Sequence, residues 1–278
     1  MPPVITSIGA LKQSLSGGSF EALSAATKDS LSIISFPDNE RAWIEEVFAG
    51  NSASKMEVAI FSQRFGDNTY GLRMQSRTLA SLRQNALFPR SVDIPVWSAD
   101  TLNVQVNGTA SDNADVVLQL YYTNIQGAGQ RLARAEQVLP FISQGIAGNS
   151  RVLGIEVTVT PGTTGNYGTA VALNTNDDRL QADYDYALIG YTTDQPVLSI
   201  GISGPDTGYY RIPMPGMWQS RFTADWFLRQ AIDRGVPHIP IINANNKATT
   251  FLDGIDAGNP GATKVSLYLA QLPNRFIG

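Results

Sequence analysis

The chain has 278 residues, with 20 basic and 24 acidic side chains, a net charge of −4, no cysteine and one histidine. Without thiols there can be no disulfide, thiolate zinc site, Fe–S cluster or cysteine nucleophile, and one histidine excludes a His-rich metal centre. Charged residues are 16% of the chain, against about 25% in an ordinary soluble domain, and no basic excess suggests a nucleic-acid coat.

In chain order, residues 1–29 read as an N-terminal arm. Ile5, Ile8, Leu11 and Leu15 recur at spacings of three and four, which predicts a short helix interrupted at Gly17-Gly18. Strands are then expected over 31–36, 42–48, 56–61 and 70–74, punctuated by Pro37-Asp38, Gly50-Asn51 and Gly66-Asp67-Asn68. A helix is predicted over Arg77–Leu87, ended by Pro89, and strands follow over 92–96, 102–106 and 116–122, with Asn107-Gly108 as a tight turn. Residues 124–150 read as a glycine-flanked connector with a helical run over 131–138. Strands resume over 152–160, 170–173, 184–190 and 196–202. A helix over 223–234 is expected to have Thr223 as N-cap and Asp225 in its first turn. The chain closes with a strand over 265–269.

No run reaches the roughly 20 apolar residues of a membrane span. The first residues show no basic segment followed by an apolar core, so a secretory signal is not expected. Length alone predicts just under two domains at about 150 residues each.

A repeat sharpens that number. Gln75-Ser76-Arg77, Leu82-Arg83-Gln84 and Ile94-Pro95-Val96 recur in the same order as Gln219-Ser220-Arg221, Leu228-Arg229-Gln230 and Ile239-Pro240-Ile241. Asp67 corresponds likewise to Asp206. Each half then holds several short strands, a helix set late among them, and closing strands. This pattern predicts a mainly β protein of two tandem eight-stranded jelly rolls, over 30–123 and 151–278, each with a helix before its closing strands. Gln75 should superpose on Gln219, and Pro95 on Pro240.

On that repeat the sequence resembles the double jelly-roll major capsid proteins of tailless icosahedral viruses, including membrane-containing bacteriophages. The resemblance covers residues 30–278 and is one of architecture. It implies a homotrimer with a pseudo-hexagonal footprint, upright rolls and residence in the virion. It further implies contacts with neighbouring trimers and with penton or minor capsid proteins. The arm, residues 1–29, would reach a neighbour or an internal membrane, although Lys12 and Lys28 are its only basic side chains. The low charge fraction agrees, because burying unpaired charge at subunit flanks is costly.

Chemical motifs are sparse. His238 has no second histidine, no G-x-S-x-G elbow accompanies it, and a structural role is expected. Asp112-Asn113-Ala114-Asp115, Asn176-Asp177-Asp178 and Asp253-Gly254-Ile255-Asp256 carry oxygens that calcium could use, but none matches a calcium loop, so solvated turns are expected. Gly162 to Gly165 and Gly201 to Gly208 lack phosphate-loop spacing and read as loops. Tyr184, Tyr186, Tyr191, Tyr209 and Tyr210 read either as sheet filling or as a sugar-stacking face. Asn107-Gly108-Thr109 is a formal glycosylation sequon. The expectation is a structural capsid protein with no catalytic, cofactor or metal residues and no direct nucleic-acid binding. A tandem β-sandwich glycan- or receptor-binding spike or fibre protein is the alternative, and a jelly-roll glycoside hydrolase comes third.

Overall fold

The structure is a computed structural model, and it describes residues 4–12, 14–23, 33–35, 42–51, 56–62, 67–76, 94–96, 101–112, 114–122, 129–144, 152–162, 167–174, 179–195, 197–215, 223–255, 261–273 and 276. Through the first half run β1 (Val4–Lys12), β2 (Glu21–Ala22), β3 (Ile33–Ser35), β4 (Ala42–Asn51), β5 (Met56–Ser62), β6 (Asp67–Ser76), β7 (Ile94–Val96), β8 (Thr101–Asn107) and β9 (Ala114–Tyr122). β10 (Leu132–Ala133) and α1 (Ala135–Gln144) lie between the halves. The second half holds β11 (Val152–Val159), β12 (Val171–Ala172), β13 (Asp185–Thr193), β14 (Ser199–Ser203) and β15 (Ile212–Pro215). It continues with α2 (Trp226–Arg234), β16 (Ile239–Asn243), a 3₁₀ turn (Ala244–Asn246), β17 (Phe251–Ile255) and β18 (Thr263–Leu272). The protein is mainly β, as its composition predicts.

Among the described residues the strands form antiparallel sheets whose order recurs. The first half has β1-β9-β4-β7 and β2-β8-β5-β6, with β3 also on β8. The second has β11-β18-β13-β16, extended by β10 on β16, and β12-β17-β14-β15. Counting strands from each half's start, with β2 and β3 sharing one place, first meets last, second meets seventh, third meets sixth and fourth meets fifth.

A fine detail recurs too. Pairing of β4 with β9 slips between Ile44 and Glu46, leaving Glu45 as the extra residue, and pairing of β13 with β18 slips between Leu188 and Gly190, leaving Ile189. Pro95 and Pro240 fall on corresponding strands, β7 and β16. Their registers differ by one: Pro95 faces Trp43, two residues before its bulge, while Ile241 faces Ala187, two before the other. Gln219 and the helix expected over 77–87 lie outside the described residues.

Several expectations are corrected. Residues 4–12, read as a helix in an arm, form a strand paired along its whole length with β9. The helical spacing misleads because neighbours at the start of this strand bury on opposite faces: Val4 packs in one core and Ile5 in the other, which breaks a period of two. The connector helix begins at Ala135 instead of 131, after β10 has joined the second sheet. α2 begins at Trp226, and its N-cap is Asp225, not Thr223. Asp225 makes no side-chain cap bond; its carboxylate pairs instead with Arg229, one turn on. Gly235 ends α2 in the left-handed region, φ 64°, donating its N–H to Ala231.

Each half has its own apolar core. Val4, Ile44, Val58, Leu102, Leu118 and Leu120 belong to the first; Val157, Tyr186, Leu188, Trp226, Phe227 and Leu267 belong to the second. Ile5 and Tyr121 leave the first sheet to join the second core, with Trp43 packed against it. That face of the first sheet is therefore a seam between the halves.

Candidate functional site

The seam contains the histidine. Its ring is fully buried, and Nε2 lies 3.1 and 3.0 Å from the two carboxylate oxygens of Glu45. Gln119 on β9 donates from Nε2 to Glu45 Oε2 at 2.8 Å. Arg234, on the last turn of α2, places Nη1 3.5 Å from Glu45 Oε1. The bulge in β4 makes this possible, because an extra residue re-aims its side chain out of the pleat. The Tyr121 ring lies stacked with Trp43 at 4.8 Å and with His238 at 6.1 Å, each tilted by 14°. The His238 backbone N–H donates to Ala133 on β10.

Burial disfavours the Glu45 carboxylate, but His238, Arg234 and Gln119 together hold its pKa below the usual carboxylate range. Burial, reinforced by the charge on Glu45, pushes the Tyr121 phenol up. Among the described residues, His238 Nδ1, Gln119 Oε1 and Trp43 Nε1 are buried without a hydrogen-bond partner. A Glu–His dyad serves catalysis when the far ring nitrogen meets a nucleophile that substrate can reach. Here that nitrogen is buried, and among the described residues no nucleophile bonds to it; the dyad links β4 of the first half to the strand entry of the second.

A second buried network ties the connector to the second half. Arg131 reaches both oxygens of Asp185, Nη1 to Oδ1 at 3.0 Å and Nη2 to Oδ2 at 2.7 Å, and Nη1 also reaches Asp206 Oδ1 at 3.1 Å. Asn243 donates to Asp185 from its side chain and to Asp206 from its backbone N–H. The Phe276 N–H donates to Asp185 Oδ2. Burial raises the Asp185 pKa, yet the bonds from Arg131, Asn243 and Phe276 outweigh it and hold the group low. Beside this network Gln130 donates to Ile5 O and to Thr207 O, and accepts from Ile5 N–H at 2.6 Å.

Among the sequence candidates, Asp253 is not in a solvated turn. It lies on β17, 5% exposed, in a two-pronged pair with Arg211, Nη2 to Oδ2 at 2.7 Å and Nε to Oδ1 at 3.0 Å. The Arg211 guanidinium lies 3.7 Å from the centroid of the Tyr167 ring. Asp112 is also buried, at 7% exposure, beside the backbone bond from Leu15 N–H to its carbonyl. Asn176, Asp177, Asp178 and Asp256 lie outside the described residues. Tyr186 and Tyr191 are fully buried sheet filling, whereas Tyr209 is 77% exposed. The tyrosines do not form one face. Among the described residues no group of three His, Asp or Glu side chains is placed to hold a metal ion, and no helix is long and apolar enough to cross a membrane.

Glu45, Gln130, Arg131 and Asp185 carry these networks, and none stands in a recognisable chemical motif. The available signal was a charge or amide inside a strand-like apolar run, as in Trp43-Ile44-Glu45-Glu46-Val47.

No family model and no curated protein matches the chain. Among solved structures, the crystal structure of PBSX exported protein XepA is similar at 10% identity over 92% of this chain and 87% of that one. Its TM-score of 0.17 is too low to bear on fold or function.

Proposed function

We propose that each half is a jelly roll and that the chain is a structural subunit of an icosahedral viral capsid, working as a homotrimer. The observation that carries the reading is the recurrent strand order, β1-β9-β4-β7 with β2-β8-β5-β6 and β11-β18-β13-β16 with β12-β17-β14-β15. This order is what a long antiparallel ribbon, pairing first with last through fourth with fifth, adopts when it wraps on itself. Two such units in one chain give a threefold assembly six similar units, which suits hexagonal tiling. Supporting the structural reading, four of the five buried carboxylates among the described residues, Glu45, Asp185, Asp206 and Asp253, are held by cations.

Light scattering behind size-exclusion chromatography tests it: three chains of 30.0 kDa give about 90 kDa, and shells run far larger. Negative-stain images should show hexagonal trimers or closed shells. A stable 30.0 kDa monomer at micromolar concentration would end the proposal.

A further inference from the structure

On β8, Asn103, Gln105 and Asn107 alternate with Leu102, Val104 and Val106, and the apolar three belong to the first core. The amides therefore line the opposite, outward face. β5 and β6 continue that face. Met56 and Val58 are core residues and Glu57 between them is not; Met74 is core and Arg73 and Gln75 on either side are exposed. Register aligns the polar groups, since Glu57 pairs with Gln75 on one side and with Asn107 on the other. Directly paired residues project to the same side, so Gln75, Glu57 and Asn107 form one row about 10 Å long across three strands.

That row floors a cleft of about 370 Å³, which Gly18 and Thr109 help to line. Its size lies within the roughly 300–1,000 Å³ of small-molecule pockets. A Cβ on Gly18 would meet nothing within 4 Å, so the rim there is open. The charge on Glu57 is answered by Arg73 at 3.7 Å, and the Arg73 guanidinium rests 4.9 Å over the Phe20 ring. The floor thus offers a charge-balanced set of two amides, which both donate and accept, around a carboxylate, which accepts twice. Closely spaced hydroxyls match it, because each is donor and acceptor at once. An ionic ligand would meet a charge already neutralised.

We propose that this outward face of β8, β5 and β6 binds a neutral saccharide through Gln75, Glu57 and Asn107. The inference does not rest on the capsid reading, since monomers and shells alike would carry the cleft. It rests on the amide row and not on the tyrosines.

The test is calorimetric titration of the full chain with lactose, maltose, cellobiose and chitobiose, with sialyllactose as the charged comparator. At least one neutral disaccharide should bind, and Gln75→Ala and Asn107→Ala should each weaken it about tenfold, with circular dichroism and elution volume unchanged. Because Gln75 is exposed, its variant should stay folded and keep the test decisive if the other does not. No binding by any neutral sugar, or unchanged affinity in the folded variants, would overturn the proposal. So would tighter binding of sialyllactose than lactose. A shift in elution volume on Gln75→Ala would assign the face to contact between copies instead.

Discussion

Glu45 is an ionised carboxylate inside an apolar seam, held by His238, Gln119 and Arg234. Glu45→Ala would remove the buried carboxylate that His238, Gln119 and Arg234 share, and loss of one member of a buried pair costs about 3–5 kcal/mol. Urea denaturation should show that loss as a lower midpoint. The folded pKa of Glu45 lies below its ordinary 4.5, so its contribution is complete above pH 4.5 and disappears as pH falls through the folded value. Glu45→Gln should therefore flatten the acid limb of the stability–pH curve below pH 4.5 while lowering stability at neutrality. An equally steep limb in both proteins would place acid sensitivity elsewhere. Gly190 makes a steric case: a Cβ there would sit 2.4 Å from backbone atoms of Thr223 and Ala224. Backbone cannot yield cheaply, so Gly190→Ala should cost roughly 1–3 kcal/mol, read by thermal unfolding.

β10 shows how a short element gains importance from what flanks it. Two residues pair with β16, yet Arg131 beside them is 20% exposed at its side chain and joins two buried carboxylates. Arg131→Ala should cost about 3–5 kcal/mol by leaving Asp185 and Asp206 uncompensated. Arg131→Lys should recover only part of this, because an ammonium cannot span both oxygens of Asp185 as the guanidinium fork does. Hydrogen exchange should speed at β10 and β16 in both variants. Elements differed in how far they could be read beforehand. β5, β8 and β9 were legible because one or both faces bury a run of Val, Ile and Leu. β17 reads as an acidic turn in the sequence because Asp253 is paired only when Arg211, 42 residues away, is brought against it. β15, with Pro213 and Pro215, lacks strand propensity and takes the sheet edge beside β14, where proline is tolerated.

For the whole molecule the decisive feature is a seam crossed by polar groups. Gln130 bonds both backbone groups of Ile5 on one side and Thr207 on the other. Gln130→Ala should cost about 1–3 kcal/mol by leaving buried backbone groups unpaired. It should also loosen the halves enough that calorimetric and van't Hoff enthalpies of unfolding diverge. Agreement of the two enthalpies in the variant would mean the apolar stack of Trp43, Tyr121 and His238 suffices. The strand order recurs between the halves, and each has a proline-bearing strand in the same place of that order. Yet the expected match of Pro95 with Pro240 misses by one residue, since Pro95 takes the register of Ile241. By itself the sequence determined what depends on local composition and repeated pattern: a mainly β chain, short strands, two similar halves, and no thiol or paired-histidine chemistry. Only the tertiary structure decided that residues 4–12 are a strand and that Glu45 is the partner of His238. Burial of the adjacent Val4 and Ile5 in opposite cores blurs strand periodicity, and a pair separated by 193 residues leaves no local trace.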